Sequence, residues 1–182
     1  GRDEARALAR QRKGGLTGAR AHLGAALRDS PAGPRRAVLL AELAKLVSGS
    51  EDLVRAAELV ELAVVEAGSD PSAQARALEV ASVIDMNLSR TARSEQRAAE
   101  ALRLFSRLGD SHGAARILDA RAMATFLDTD IRLGTELLDR VAHLFADSGD
   151  LMRMVTPRST RGHGLVLLGQ PADGLTDADE AL

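Results

Sequence analysis

Histidine is the residue type of this sequence best suited to acid–base or metal chemistry, because imidazole titrates near neutral pH and binds metal ions readily. The four histidines are His22, His112, His143 and His163. None belongs to a His-x-x-x-His or His-Glu-x-x-His pair, the spacing that puts two ligands on one helix face. Cysteine is absent, which removes thiol catalysis and thiolate metal sites. The sequence therefore predicts no metal site and no cofactor, with packing or surface roles for these histidines.

Paired acids occur at two places, Asp128 with Asp130 and Asp147 with Asp150. Both pairs flank turns, where short acids cap helices by accepting hydrogen bonds from nearby backbone N–H groups. Hydroxyl side chains also fall mostly at turns and helix crossings, so no Ser/His/Asp arrangement for nucleophilic catalysis can be assembled from them. We therefore expect caps at these acids, and a protein that is not an enzyme.

Helices must position all of these side chains. Strong helix formers such as Ala, Leu, Arg and Glu are abundant, apolar residues recur at helical spacing, and no segment alternates with period two. Gly after one segment and Pro, Ser or Asp before the next are stop and start signals, with N-caps expected at Ser111 and at Asp70 or Ser69. The predicted helices cover residues 3–13, 16–29, 34–48, 51–67, 71–88, 92–108, 111–127, 131–147, 151–168 and 171–182.

The helices belong to a repeat. The run from Leu104 to Asp110 returns forty residues later as Leu144 to Asp150, a period typical of stacked supersecondary units. Short connections make consecutive helices antiparallel, so the predicted fold class is all-α, a right-handed α-α superhelix of about five antiparallel helix pairs in a single domain over residues 1–182. Pro157 departs from the pattern: the ninth helix either kinks there or begins at Thr156 with Pro157 as its first residue.

Small residues mark where two helices of a pair cross. In the last pair, Gly162, Gly174 and Ala181 stand 12 and 7 residues apart, with Gly169 at the turn. This spacing resembles the tetratricopeptide repeat, whose pattern has small residues at its eighth, twentieth and twenty-seventh places. The corresponding residues of the earlier pairs are Arg6, Gly18, Ala25; Ala44, Ala56, Ala63; Ser82, Ser94, Ala101; and Ala122, Gly134, Val141.

The repeats differ from the common tetratricopeptide unit in two ways, because bulky aromatics are missing from the first helices and the period is 38 to 40 residues. Long Ala/Arg-rich pairs with Leu-Gly-Asp turns resemble the repeat region of large ATP-binding LuxR-type transcriptional regulators of high-GC bacteria. In that family the region lies between a nucleotide-binding domain and a helix-turn-helix and receives effectors or inhibitory partners. Because the sequence has no Gly-x-x-x-x-Gly-Lys-Ser/Thr phosphate loop and its last helix stops short at Leu182, we expect a fragment of a longer multidomain protein.

The tetratricopeptide resemblance also implies a concave groove lined by the first helix of each pair. Met and Phe between Arg, Asn and acids suit a peptide or a partner helix, although the apolar residues have an alternative role in packing on the next repeat. The groove positions of the third, fourth and fifth pairs are Arg76, Glu79, Val83, Met86, Asn87; Arg116, Asp119, Met123, Phe126; and Ser159, His163.

Charge is distributed unevenly along a chain of net charge -2. Residues 1–36 hold nine Arg/Lys and three acids, whereas the last thirteen residues hold four acids and no base. Arg2, Arg6, Arg10 and Lys13 share one helical stripe, but no aromatic residue interleaves them, so direct nucleic-acid binding is not expected. No apolar run is long enough to span a membrane and no signal peptide is present, so the expected location is the cytoplasm without membrane contact.

Three functions are consistent with these patterns. The leading hypothesis is a non-catalytic domain that binds a peptide, a partner protein or a small effector in its groove. The alternative is a structural module that self-associates through its first and last repeats, whose apolar ends are open in such a stack. A minor alternative is an enzyme with a site around His163, Asp119 and Glu79.

Overall fold

The protein is built from α-helices. A computed structural model describes residue 15 and residues 17–49, 52–128 and 130–181, apart from the side chain of Asp128, and no strand occurs among them. No helix in this part of the chain combines the length and the apolar composition needed to cross a membrane. The described helices are α1 (17–28), α2 (Pro34–Ser48), α3 (Leu53–Ala67), α4 (Pro71–Asn87), α5 (Thr91–Leu108), α6 (Ser111–Asp128), α7 (Ile131–Asp147), α8 (Leu151–Leu167) and α9 (Pro171–Glu180).

Most helices begin at the predicted signals. The carboxylates of Asp70, Asp130 and Asp150 each accept a hydrogen bond from the backbone N–H three residues ahead, at 2.8 to 3.2 Å. Ser111 is not the cap that we predicted, because Asp110 accepts from the N–H of Gly113 at 2.7 Å and Ser111 is the first helical residue. An Asp carboxylate one residue earlier reaches the same orphan N–H groups, which displaces the serine.

Four further predictions concern the ends of helices. Asp147 is the last residue of α7 and caps no helix start. The side chain of Asp128 and the predicted helix at residues 3–13 lie outside the described residues. Helix α8 runs through Pro157, so of the two alternatives for this helix the start at Thr156 is wrong: Asp150 caps the helix and Pro157 is buried inside it.

Glycine ends the helices where a left-handed backbone is required. Gly149 and Gly169 have φ angles of 76° and 83°, and the N–H of the following residue returns to a carbonyl in the last turn. This is the Schellman arrangement, which glycine adopts without steric cost. Ser89 takes the same role after α4 with a φ angle of 58°, and Arg90 N–H donates to Asp85 O at 2.8 Å.

The chain divides into two compact units, residues 1–104 and 105–182, and the division lies inside α5. In the first unit α2 packs on α3 and on α4, and α3 packs on α4. In the second unit α6 packs on α7, α7 on α8, α8 on α9, and α6 also touches α8. Contact with the next one or two helices is the packing order of an α-solenoid, so the predicted all-α class is confirmed. The single domain over residues 1–182 stays a prediction.

The core of each unit is made of aliphatic and alanine side chains. Helix α4 has no exposed side chain between Ala73 and Asp85, as expected for a helix that is apolar on most sides. Helix α7 is amphipathic and buries one stripe only. The buried clusters contain Leu40, Ala41, Ala44, Val47, Ala56, Leu59, Val60, Ala63, Ala77, Val80, Ala81 and Ile84 in the first unit, and Ala115, Ala122, Leu138, Val141 and Phe145 in the second.

The predicted small residues lie where paired helices cross. A Cβ added to Gly174 would stand 2.7 Å from the carbonyl oxygen of Gly162, and one added to Gly162 would stand 2.9 Å from that of Gly174. In the third pair the hydroxyl of Ser94 donates to the carbonyl of Ser82 at 2.8 Å. Since only small residues permit backbones to approach this closely, the predicted crossings of Gly162 with Gly174 and of Ser82 with Ser94 are confirmed. The first set, which starts at Arg6, begins outside the described residues.

Candidate functional site

One face of helix α8 is open along its whole length. It consists of Met152, Thr156, Ser159, His163 and Val166, which follow one another at steps of three or four residues and are all exposed. The predicted groove residues Ser159 and His163 lie at its centre, where His163 Nδ1 is 3.2 Å from the carbonyl oxygen of Ser159. We call these five residues the α8 face.

The opposite side of α8 is packed against α6 and α7. Pro157, Gly164 and Leu165 are buried there, and Met154 packs on the core cluster of the second unit. Gly164 lies so close to Thr135 and to the ring of Phe126 that a Cβ would overlap them. The predicted groove residue Phe126 is therefore held between helices, in the packing role.

A shallow pocket of about 150 Å³ lies between the α8 face and α9. It forms because Gly162 and Gly174 carry no side chain at the crossing of the two helices. Its walls are mostly apolar, with a hydroxyl and an imidazole at one edge. The lining residues are Ser159, Gly162, His163, Val166, Gly174, Leu175 and Ala178.

Helix α6 contributes the half-buried Asp119 and Met123. Asp119 Oδ1 is buried without a hydrogen-bond partner. Burial raises the pKa of this carboxyl above its usual value, and the positive charge of Arg153 on α8 acts in the opposite direction. Met123 packs against the core cluster of α6 and α7. Asp119 is thus an acid whose charge is incompletely compensated within the second unit.

Arg116, the remaining predicted site residue of α6, is part of a contact that sequence reasoning missed. Its guanidinium donates to His112 Nδ1 at 2.7 Å and lies over the ring of Phe105 at 5.7 Å. Because a guanidinium can only donate, Nδ1 is the acceptor and Nε2 carries the proton. His112 Nε2 then donates to Asp150 Oδ2 at 2.7 Å, and this hydrogen bond is the main reason that the pKa of Asp150 is lowered.

The His112–Asp150 pair joins the start of α6 to the start of α8, while the imidazole meets Phe145 edge-on with ring centres 5.9 Å apart. The two residues are 38 positions apart in sequence, close to one repeat period. In the sequence, the only indication of this contact is that both residues lie at the N-terminus of the first helix of a pair.

In the first unit, the predicted site residues lie on α4. Met86 and Asn87 are exposed at its C-terminal end, whereas Arg76 and Glu79 are half-buried. A small pocket of about 70 Å³ brings Glu79 together with the end of α2. It is lined by Lys45, Ser48, Glu79, Val80, Val83 and Ile84.

A buried ion network in the first unit was also missed. Asp85 on α4 is only 1% exposed and accepts from Arg97 of α5 at 2.8 Å, with Arg90 and Arg93 at 3.4 Å. Arg97 also donates to both carboxylate oxygens of Glu61 on α3, at 2.8 and 2.9 Å. The network therefore fastens the first part of α5 to α3 and α4. In the sequence, this network is indicated by the position of Asp85, four residues after Ala81 on the buried stripe of α4.

The second unit contains a corresponding network around Asp177 of α9, which is 3% exposed. Arg161 of α8 donates to both of its carboxylate oxygens at 2.5 Å, and the same guanidinium reaches Asp139 of α7 at 3.0 Å. Arg158 joins Asp177 to Glu180. Both networks thus place an arginine between acids from two other helices.

The described part of the chain contains no group of three His, Asp or Glu side chains that could hold a metal ion. His163 has no hydrogen bond or ion pair to Asp119, although both residues are described. The second unit therefore presents an exposed, mixed apolar and polar helix face on α8 and, separately, holds a half-buried acid on α6.

Comparisons with known proteins show the fold only. No protein-family model matches the chain, and a search of curated proteins gives no match. Among solved structures, it is similar to the crystal structure of BtubC (BKLC) from P. vanneervenii, with a TM-score of 0.73 and 20% sequence identity. The match covers 94% of this chain and 74% of that chain.

Proposed function

We propose that this chain is a non-catalytic, protein-interaction or effector-sensing helical repeat domain of a cytoplasmic bacterial regulator. The observation that carries the proposal is the α8 face, which is exposed along the length of a helix whose opposite side is packed. An exposed helix face with apolar ends and a polar centre is suited to a partner helix or an extended peptide.

The α8 face has the dimensions of such a contact. Met152 and Val166 are fourteen residues apart, which corresponds to about 21 Å along a helix at about 1.5 Å per residue. Met152 is 85% exposed and Val166 is 50% exposed, so each end offers apolar area that a partner can bury. Ser159 and His163 at the centre provide hydrogen-bonding groups that determine orientation.

Binding is supported over catalysis by the surroundings of His163. A general base needs an orienting acid or carbonyl and a nearby site for the reacting atom. The ring of His163 meets only the carbonyl of Ser159, four residues earlier on the same helix, among its described contacts. Such an exposed imidazole is better suited to a polar contact with a partner.

The regulatory part of the proposal draws on the resemblance to tetratricopeptide repeats and to the repeat region of LuxR-type regulators. It is tested by sequencing the parent gene on both sides of residues 1–182. We expect a phosphate loop to be encoded upstream and a helix-turn-helix downstream. A gene that encodes neither would contradict the regulator and leave a free-standing adaptor.

Binding by the α8 face is tested with peptides selected from a random library on the immobilised protein. We expect Ser159→Arg to raise the Kd of the selected peptides by about tenfold or more, since a long charged side chain obstructs the centre of the contact. Ala99→Arg, at an exposed position of α5, is the matched control and should leave the Kd unchanged. Calorimetric titration gives both constants. If no peptide is selected, or if Ser159→Arg binds the peptides as well as the wild type, this surface is not the binding site.

A further inference from the structure

The small pocket of the first unit lies between the last turn of α2 and the middle of α4. It has a volume of about 70 Å³, and its floor is apolar because Val80 and Ile84 belong to the buried core cluster of this unit. Two opposite charges stand at the same pocket, Lys45 from α2 and Glu79 from α4. We call it the α2–α4 pocket, and its lining residues are Lys45, Ser48, Glu79, Val80, Val83 and Ile84.

The second unit fills the equivalent space with a side chain of its own. Phe126 and Ser48 each stand four residues after the first small crossing residue of their pair, and Gly164 and Ile84 each stand two residues after it. The ring of Phe126 lies against Gly164, where an added Cβ would be 3.0 Å from it. In the first unit Ile84 takes part of this space, and the short side chain of Ser48 leaves the rest open. The α2–α4 pocket is therefore a place for an apolar group that the first unit does not supply.

The volume of the pocket limits that group to a small one. One water molecule needs about 10–15 Å³ of such space, so 70 Å³ holds a few non-hydrogen atoms. A branched aliphatic group has this size, whereas an aromatic ring is larger. Contact of the group with Val80, Val83 and Ile84 favours binding, because it removes apolar area from water.

The charges of the pocket specify the rest of the ligand. Lys45 is exposed, and its ammonium makes no hydrogen bond or ion pair within the described part of the chain, so it is available to a carboxylate. Glu79 is half-buried, and a carboxylate has about four acceptor positions, so it can accept from a ligand ammonium in addition to contacts within the protein. In the second unit the equivalents of Lys45 and Glu79 are Met123 and Ser159. The pair of opposite charges is therefore particular to this pocket and is not a feature of every repeat.

We propose that the α2–α4 pocket binds a free α-amino acid with a branched aliphatic side chain, such as leucine or valine. The side chain enters the pocket over Val80 and Ile84, the carboxylate pairs with Lys45, and the ammonium pairs with Glu79. The assignment rests on the effector-sensing part of the proposed function, for which it names the class of effector. It does not involve the α8 face, which belongs to the other unit, so the two sites are tested separately.

The proposal is tested by titrating L-leucine into isotope-labelled protein and following the amide resonances by NMR. We expect a Kd of about 1 mM, because a ligand this small makes few contacts. The largest shifts should fall in the last turn of α2 and the middle of α4. N-acetyl-L-leucine lacks the ammonium and L-phenylalanine has too large a side chain, so each should bind more weakly by about tenfold or more.

Two substitutions test the pocket itself. Ser48→Phe supplies the ring that Phe126 supplies in the second unit, and should abolish leucine binding by filling the space. Ser106→Phe, at an exposed position of α5, is the matched control and should leave the Kd unchanged. Lys45→Gln removes the charge without changing the apolar floor, and should raise the Kd by about tenfold. Because Lys45 is exposed, this variant provides the test if Ser48→Phe does not fold.

Four results would each overturn the proposal. They are no shift at a leucine concentration about ten times the expected Kd, wild-type affinity in folded Ser48→Phe, wild-type affinity in Lys45→Gln, and equal affinity for leucine and N-acetyl-L-leucine. Binding of the selected peptides to the α8 face is measured on the same preparation. If leucine does not bind and the peptides do, the amino-acid site alone is wrong; if the peptides do not bind and leucine does, the amino-acid site stands and the α8 face is wrong.

Discussion

At the scale of single residues, two acids differ in how their buried charge is compensated. Each lies on the first helix of its pair. Asp85 is almost fully enclosed, yet three arginines surround it. Asp119 is half-buried and keeps an oxygen without a hydrogen bond. A buried carboxylate is tolerated when it is paired and is costly when it is not. Asp85 therefore stabilises helix contacts, and Asp119 reduces stability at a predicted binding position.

Asp119→Asn is expected to stabilise the protein in a pH-dependent way. The raised pKa means that the folded state binds the proton more tightly than the unfolded state, whose carboxyl titrates near 3.8. Stability of the wild type therefore falls as pH rises through the window between 3.8 and the higher folded pKa. Asp119→Asn does not lose stability with pH in this way, because the asparagine side chain has no charge to desolvate. It should be more stable than the wild type at neutral pH by about 1 kcal/mol.

Urea unfolding of both proteins across that window measures the effect, with Asp147→Asn at an exposed position as the control. A stability difference between Asp119→Asn and the wild type that is the same at every pH would show that the charge of Asp119 is not its cause.

At the scale of helices, the crossing of α8 and α9 depends on two glycines that face each other. Neither backbone can move away without separating the pair, because the atom nearest to an added Cβ is in each case the backbone carbonyl oxygen of the other glycine. The same crossing leaves the pocket beside the α8 face open. The small residues therefore determine both the spacing of the pair and the shape of the exposed surface.

Gly174→Ala is expected to destabilise the protein although alanine is the better helix former by about 1 kcal/mol. The added Cβ would lie 2.7 Å from the carbonyl oxygen of Gly162, and overpacking of this kind costs about 1–3 kcal/mol. Gly24→Ala in α1 is the matched control, because its nearest neighbour is the end of the Arg28 side chain at 3.9 Å, and it should stabilise by about 0.5–1 kcal/mol. Thermal and urea unfolding followed by circular dichroism compare the two. Equal effects of both substitutions would contradict the close crossing.

At the scale of the whole molecule, the chain consists of two compact units, and within each unit helices pack on the next one or two along the chain, α2 to α4 in the first and α6 to α9 in the second. The free energy of unfolding of such folds is close to a sum of contributions from single helix pairs and their contacts. A destabilising substitution therefore affects its own helix pair more than the others. The two ion networks, one in each unit, are therefore expected to act independently. Substitutions in the network of one unit should leave amide hydrogen exchange in the other unit unchanged.

Asp85→Ala tests this locality. Removing the acid leaves the nearly enclosed Arg97 with Glu61 alone, and breaking a buried pair costs about 3 kcal/mol. We expect amide hydrogen exchange to accelerate in α3, α4 and the first part of α5, and to remain unchanged in α7 to α9. Glu58→Ala breaks an exposed pair with Arg55 and should cost less than about 1 kcal/mol, without changing exchange elsewhere. Faster exchange in α9 of Asp85→Ala would show that the units are coupled.

The sequence by itself determined the helices and the positions where they cross. These features have local causes: caps such as Asp70 and Asp150, left-handed glycines such as Gly149, and small residues recurring with the repeat period, as at Gly162 and Gly174. It also placed Ser159 and His163 on one helix face, because their spacing is helical.

Only the tertiary structure decided which long side chains meet and which faces stay open. His112 and Asp150 are 38 residues apart, and Arg97 reaches Asp85 and Glu61 on two other helices. Such contacts depend on the angle and distance between helices, which no local signal encodes. For the same reason Phe126 and Val166, equivalent in the repeat, differ in role: α8 packs against Phe126, whereas no described helix covers Val166.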